Sequence, residues 1–147
     1  DACPVGAARF ESHPDFVPSS PDSAFPPLRD LLGLDETSFA ERFRGRAVMR
    51  AKRDGLVRNA CIALGNVGTP DALPALVTAL ADGAPLVRQH ADWAVARLGV
   101  RHRLEPISRA ALEKALAIEQ DDPVREELTL ALQDLAAGGC HGRADPS

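Results

Sequence analysis

The sequence is poor in aromatic residues and lacks any long apolar run. Its 147 residues include no tyrosine, one tryptophan and five phenylalanines, so a folded core must be built mainly from aliphatic side chains. No apolar stretch approaches the roughly 20 residues that span a bilayer, and no charged, apolar, then small-residue leader is present. We therefore expect neither a membrane protein nor an intact secretory precursor.

Cysteine is also scarce, and its distribution indicates the cellular compartment. The three cysteines, Cys3, Cys61 and Cys140, lie far apart in the sequence. They are too few and too scattered for a disulfide framework, which is typical of a protein from a reducing environment. We expect a cytoplasmic location, with Cys61 buried as a small hydrophobe.

The charge is unevenly distributed along the chain. Residues 1–41 carry eight acids and two bases, residues 42–58 carry seven bases and one acid, and the remainder is acidic again. A basic block inside an acidic chain favours a polyanionic partner. The alternatives are a solvated face, or pairing of the block with the acids of residues 1–41.

Proline separates an arm from a helical region. Residues 1–27 hold six of the twelve prolines, which predicts an extended arm because proline disrupts a regular helix. After Pro27 the apolar spacing is helical, with one short helix ending at Gly33 and a second from an N-cap at Asp35 to Gly45. A further helical turn is predicted over 47–52.

A repeated Val-Arg pair indicates stacked helical hairpins. The pair occurs at 57–58, 87–88 and 124–125, and each copy is predicted to open an amphipathic helix with one buried stripe. Thr69 and Ser108 are predicted to cap the partner helices. The predicted stripes are Val57, Ala60, Cys61, Leu64 and Val67; Val87, His90, Ala91, Ala94 and Leu98; and Val124, Glu127, Leu128, Ala131 and Leu135.

One hairpin cannot bury its apolar face, whereas stacked hairpins share a continuous core. The predicted fold class is therefore all-α, an α-solenoid of helical hairpins preceded by an extended proline-rich arm. The predicted divisions are the arm at 1–27, a helical adaptor with the basic block at 28–53, a repeat domain at 54–137 and a disordered tail at 138–147 that contains Cys140 and His141.

Several segments resemble known families. The runs LVRNACIALGN at 56–66, PDALPAL at 70–76 and LVRQHADWA at 86–94 resemble HEAT-like repeats of the phycobilisome-lyase type. The runs FAERFRGR at 39–46 and RAKRDGLVRN at 50–59 resemble the C-terminal region of epoxyqueuosine reductase. That enzyme performs the last step of queuosine synthesis on tRNA, and the resemblance covers residues 1 to about 99.

The start of the chain resembles the end of a ferredoxin-type cluster motif. Cys3 and Pro4 match the last Cys-Pro, but each iron of a 4Fe–4S cluster needs its own thiolate. The resemblance implies that the parent family uses cobalamin and two 4Fe–4S clusters, with the cobalamin-binding and catalytic parts upstream. We expect no cofactor and no catalysis in this chain alone; Cys3 would be a metal ligand only with the missing cysteines. Which cluster it would serve stays open.

The resemblance implies a tRNA anticodon stem-loop as the partner. Arginine can hold phosphate oxygens bidentately or stack on unpaired bases, and lysine adds a mobile charge. Helix amides beside Arg58 would also favour a phosphate. The candidate RNA-binding residues are Arg42, Arg44, Arg46, Arg50, Lys52, Arg53, Arg58 and Asn59.

The competing hypotheses are a HEAT-repeat scaffold that binds a protein without RNA, and a remnant redox module that uses Cys3. Structural roles explain the other notable side chains. The resemblance to HEAT-like repeats implies that Arg88 and Arg125 pair with acids of the adjacent unit, for which Asp82 and Asp122 are the candidates. His90 is interpreted as a core or interface histidine. A second basic cluster suits the negative end of a helix dipole; it consists of Arg97, Arg101, His102 and Arg103.

Overall fold

A computed structural model describes residues 26–138, and it is all-α over that range, without a strand. The arm up to residue 25, with Cys3, and the tail from residue 139, with Cys140 and His141, lie outside the described residues. The elements are α1 (Leu28–Leu32), α2 (Glu36–Phe43), a 3₁₀ helix (Ala47–Ala51), α3 (Lys52–Val67), a 3₁₀ helix (Pro70–Ala72), α4 (Leu73–Ala79), α5 (Pro85–His102), α6 (Glu105–Ile118) and α7 (Asp122–Ala136).

The helices form the two layers of an α-solenoid, which confirms the predicted fold class. Helices α3, α5 and α7 lie side by side, and α1, α4 and α6 pack against them. Helix α5 contacts α3, α4, α6 and α7, so it is apolar on several sides. Its Val87, Ala91, Ala94 and Leu98 are fully buried. A central helix enclosed in this way joins neighbouring hairpins into one core.

The first two helices follow the predicted boundaries closely. The Asp35 carboxylate accepts a hydrogen bond from the Ser38 amide at 2.7 Å, which confirms the N-cap of α2. The rings of Phe39 and Phe43 lie 5.4 Å apart and are both buried. Pro27 occupies the N-cap position of α1 and not its first turn. The aromatic pair anchors α2 to the repeats.

The start of α3 differs from the prediction. The helix begins at Lys52, so Val57 lies within the helix instead of opening it. The buried stripe ends at Leu64, and Val67 is 76% exposed. Ten positions at about 100° per residue turn Val67 roughly 80° away from Val57, which removes it from the buried side.

The predicted cap at Ser108 is wrong. Helix α6 begins at Glu105, and Ser108 is fully buried inside it. A Cβ added to Gly99 would lie 2.4 Å from the Ser108 hydroxyl, so these two small residues allow α5 and α6 to approach closely. Thr69 does not cap an amide either; its hydroxyl donates to the Asp71 carboxylate.

Candidate nucleic-acid interface

The chain between α2 and α3 displays most of the basic block on the surface. It turns through Gly45, which has φ of 75°, and continues into the 3₁₀ helix. Val48 and Met49 of that helix pack against the core, whereas the residues on either side of them are exposed. We call the exposed basic residues from the last turn of α2 to the first residue of α3 the exposed basic strip; they are Arg42, Arg44, Arg46, Arg50 and Lys52.

Most of the strip keeps its positive charge within the described part of the chain. Among residues 26–138, no acid lies within ion-pair distance of Arg42, Arg44, Arg50 or Lys52. The Arg42 guanidinium lies 5.7 Å from the centre of the Phe43 ring, a cation–π contact that leaves its charge unneutralised. An exposed, unneutralised group of cations attracts a polyanion.

The backbone bends sharply at the end of the strip. Lys52 has φ of 58° and ψ of 170°, in a region that residues with a side chain rarely adopt. Such a conformation costs roughly 1–3 kcal/mol and persists only where the surroundings impose it. The bend separates the 3₁₀ helix from α3 and leaves the Lys52 side chain exposed at the corner.

Arg53 turns inward, away from the strip. Its Nε donates to the Leu34 carbonyl at 2.8 Å, and its Nη1 donates to Asp82 Oδ1 at 2.7 Å and to Asp54 Oδ1 at 3.1 Å. Its Nη2 donates to Asp82 Oδ2. The side chains of Arg53 and Asp82 are 12% and 8% exposed. The hydrogen bond to Asp82 is the main cause that raises the pKa of Arg53, so its charge is permanent.

Arg58 and Asn59 form a local pair further along α3. Nε and Nη2 of Arg58 donate to Asn59 Oδ1 at 3.1 and 2.9 Å. Because α3 begins at Lys52, the free amides of its first turn lie near Lys52 and not near Arg58. The expectation that Arg58 opens a helix is therefore wrong.

Three arginines hold the inter-helix turns, and we call them the arginine ladder: Arg53, Arg88 and Arg125. Arg88 donates to both carboxylate oxygens of Glu119, at 2.7 and 2.9 Å, and to the Asp82 carbonyl at 2.9 Å. Arg125 donates to the carbonyls of Glu119 at 2.8 Å and Leu116 at 3.2 Å.

The ladder corrects two predicted pairings. Arg88 uses the carbonyl of Asp82 and not its carboxylate, because Arg53 occupies that carboxylate. Arg125 binds backbone carbonyls where the carboxylate of Asp122 was expected. The repeated Val-Arg pair aligns Arg58 with Arg88, whereas in space Arg53 has the corresponding role. No sequence signal separates Arg53 from its neighbours, because its acceptors Leu34 and Asp82 lie far from it along the chain.

The second basic cluster contacts the end of α3. Arg101 Nη2 donates to the Gly65 carbonyl at 2.5 Å, and His102 Nε2 lies 3.0 Å from the Gly68 carbonyl. The Arg97 guanidinium lies 5.3 Å from the centre of the Trp93 ring. Arg101 and His102 thus contact carbonyls at the end of a neighbouring helix. They also lie in the last turn of α5, where the dipole of that helix favours positive charge, as predicted.

Cys61 is buried as predicted, whereas His90 and Glu127, which were also placed in buried stripes, are only half-buried. His90 Nδ1 lies 2.8 Å from the Leu86 carbonyl one turn earlier, and the residue is half-buried. Cys61 is fully buried, and that burial raises the pKa of its thiol to about 12. Between residues 26 and 138, no cluster of side chains could hold a metal ion. No helix in that range is long and apolar enough to cross a bilayer.

The model of the HEAT-repeat family matches residues 46–133, which is more than half of the chain. The chain belongs to the HEAT-repeat family. The layers of α3, α5 and α7 against α4 and α6 are the repeats that this match covers. The match begins at residue 46, within the basic block, so it includes Arg46, Arg50 and Lys52 of the exposed basic strip.

Similar proteins confirm the resemblance to epoxyqueuosine reductase. The chain is 31% identical over 139 residues to the epoxyqueuosine reductase of Bacillus subtilis, covering 93% of this chain and 34% of that protein. It is 34% identical over 137 residues to an uncharacterised protein of Geobacillus stearothermophilus, covering 92% and 61%. The chain thus spans about a third of the length of the epoxyqueuosine reductases that it matches.

Solved structures show the same likeness. One is a crystal structure of epoxyqueuosine reductase with an epoxyqueuosine-modified tRNA-Tyr stem loop; it superposes with a TM-score of 0.79 at 30% identity. The superposition covers 91% of this chain and 35% of that one. The enzyme from Bacillus subtilis gives a TM-score of 0.77 at 30% identity. The chain is homologous to part of this enzyme in both sequence and fold.

Proposed function

We propose that this chain is the tRNA-binding module of an epoxyqueuosine reductase, acting in the last step of queuosine modification. The exposed basic strip is the surface that holds the RNA. The observation that carries the proposal is a run of exposed cations with no acid in reach of four of them among the described residues. The likeness to an enzyme solved with a tRNA stem loop supports the same partner.

The strip suits a folded RNA loop chemically. Its four arginines present planar forks that bind phosphate oxygens in pairs or stack on splayed bases. Lys52 adds a point charge at the bend before α3. The HEAT repeats supply a rigid base, since Val48 and Met49 attach the strip to their core. Cys3 lies outside the described residues, so its part in a cluster stays a prediction.

The first experiment is a titration of a labelled tRNA anticodon stem-loop with the full chain at two salt concentrations. A duplex RNA of equal length is the reference. We expect tighter binding to the stem-loop, with an affinity that falls as salt rises because bound cations displace counterions. Equal and weak binding to both RNAs would leave only a nonspecific charged surface.

A matched pair of variants then locates the binding surface. The double variant Arg44→Gln/Arg50→Gln removes two strip charges, while Arg109→Gln/Lys114→Gln removes two charges from α6. We expect only the first to flatten the slope of log affinity against log salt, by about 0.7 for each phosphate that the variant no longer neutralises. Equal slopes in the two variants would contradict the assignment to the strip.

A protein-binding scaffold is the second candidate function. Helices α6 and α7 carry Ile118 and Leu130, which are 67% and 37% exposed. A depression of about 600 Å³ opens beside Leu130 between the two helices. If the chain bound neither RNA and still retained a defined protein partner after nuclease treatment, the scaffold would be the better account.

A further inference from the structure

One side chain closes the segment that carries the exposed basic strip. Arg53 follows Lys52 directly, and its Nε donates to the carbonyl of Leu34, the residue just before the N-cap of α2. The contact therefore joins the two ends of residues 35–52, which contain all five residues of the strip. A loop closed at its base has fewer accessible conformations than an open one.

The same guanidinium fixes this closed segment to the repeats. Both carboxylate oxygens of Asp82, in the turn between α4 and α5, accept hydrogen bonds from Arg53. Asp82 is itself held, because its Oδ1 accepts from the Ala84 amide at 2.9 Å and its carbonyl accepts from Arg88. Arg88 continues to Glu119, so the attachment extends along the arginine ladder.

We propose that Arg53 is a positioning residue: it holds residues 35–52 in one place against the repeats and so sets RNA affinity without contacting RNA. The inference rests on the proposed function of the strip. Arginine has five N–H donors, and four contacts to protein oxygens occupy most of them here. A binding surface that is already ordered loses less conformational entropy when its ligand binds.

Two conservative variants separate positioning from charge. Arg53→Lys keeps the net charge but removes the fork that reaches Leu34 and Asp82 together. Asp82→Asn removes a negative charge, so charge alone would make RNA binding tighter. Positioning predicts the opposite: both variants bind the stem-loop more weakly, by roughly tenfold. The matched control is Glu113→Gln, at an exposed position of α6, which changes the net charge as Asp82→Asn does. We expect this control to bind the stem-loop no more weakly than the original chain.

Hydrogen exchange supplies a readout that does not depend on RNA. In both variants we expect the exchange of the amides in 35–52 to accelerate more than that of the amides of α5, whose remaining protection shows that the fold persists. Faster exchange together with weaker RNA binding supports the inference. Unchanged exchange overturns it, and so does faster exchange with unaltered affinity.

The two proposals fail in different ways. If the original chain does not bind the stem-loop, the proposed function fails before any variant is compared. The exchange rates then still decide whether Arg53 holds the segment. If the original chain binds and Arg53→Lys binds equally well, the proposed function stands and the positioning role is overturned.

Discussion

The exposed basic strip and the arginine ladder are both built mainly from arginine, but the strip exposes its arginines to solvent and the ladder binds them to protein oxygens. Arg44 and Arg53 lie nine positions apart in one basic block. Arg44 is exposed and has no acid in reach among the described residues, whereas Arg53 is 12% exposed and bound to Asp82. The difference comes from the turn between α4 and α5, which brings a carboxylate to one arginine and not to the other. Local charge alone does not assign the role of an arginine.

The buried and the exposed arginines also differ in how much stability the protein would lose without them. Removing one partner of a buried ion pair leaves an uncompensated charge in a poorly solvated place, which is costly. Exposed cations interact weakly with their surroundings because water and salt screen them. We therefore expect the ladder to control stability and the strip to control binding.

The largest expected effect is on the free energy of unfolding when one arginine side chain is replaced by alanine. Arg53→Ala leaves the Asp82 carboxylate buried without its cation, and we expect a loss of roughly 3 kcal/mol in the free energy of unfolding. Arg44→Ala should change it by no more than about 0.5 kcal/mol. Urea denaturation followed by helical circular dichroism measures both. Similar losses in the two variants would remove the distinction.

Acid should weaken the ladder by a smaller amount. Hydrogen bonds from Arg88 hold the pKa of Glu119 below its ordinary value. Burial acts to raise the pKa of Asp82, but Arg53 and the Ala84 amide outweigh it and the pKa is lowered. For a lowered pKa, the stabilisation is complete above the unfolded value of about 4 and is lost as pH falls through the folded value.

Thermal unfolding at pH 7, 4 and 3 measures this loss. We expect the melting temperature to fall most between pH 4 and pH 3. The variant Glu119→Gln should show a smaller fall over that interval, because it removes one of the two carboxylates with lowered pKa that the ladder arginines bind. A fall of the same size in the variant would exclude Glu119 as a cause.

The smallest effect concerns the second basic cluster. Arg97→Gln/Arg103→Gln removes two cations, one of which stacks on Trp93. We expect a loss of about 0.5–1 kcal/mol in stability from the cation–π contact and no change in the salt slope of stem-loop binding. The comparison variant is Arg44→Gln/Arg50→Gln. A slope reduced equally by both would extend the RNA surface to this cluster.

Much of the fold could be predicted because helical periodicity is local. The apolar spacing located α3, α5 and α7, and Asp35 identified the start of α2 through its own side chain. Ser108 was wrongly predicted to be an N-cap because serine before an apolar run is typical of helix starts. In the structure Ser108 lies inside α6 and packs against Gly99 of α5. Only the packing of α5 on α6 distinguishes these two uses.

The candidate site was predicted less completely. The basic block was visible from composition, and five of its eight candidate residues are the exposed basic strip. Arg53 could not be separated from them, since its acceptors Leu34 and Asp82 lie 19 and 29 positions away. A repeat alignment even selected Arg58 in its place, because the Val-Arg pair is a sequence match and not a contact.

By itself, the sequence determined the helical repeats, the concentration of positive charge at 42–58 and the relatives of the chain. These follow from the order of residue types, which sets helical periodicity and local charge without any distant partner. The tertiary structure alone decided which cations are exposed and which hold the turns together. That choice depends on carboxylates and carbonyls that folding brings near, and on the burial that makes their loss costly.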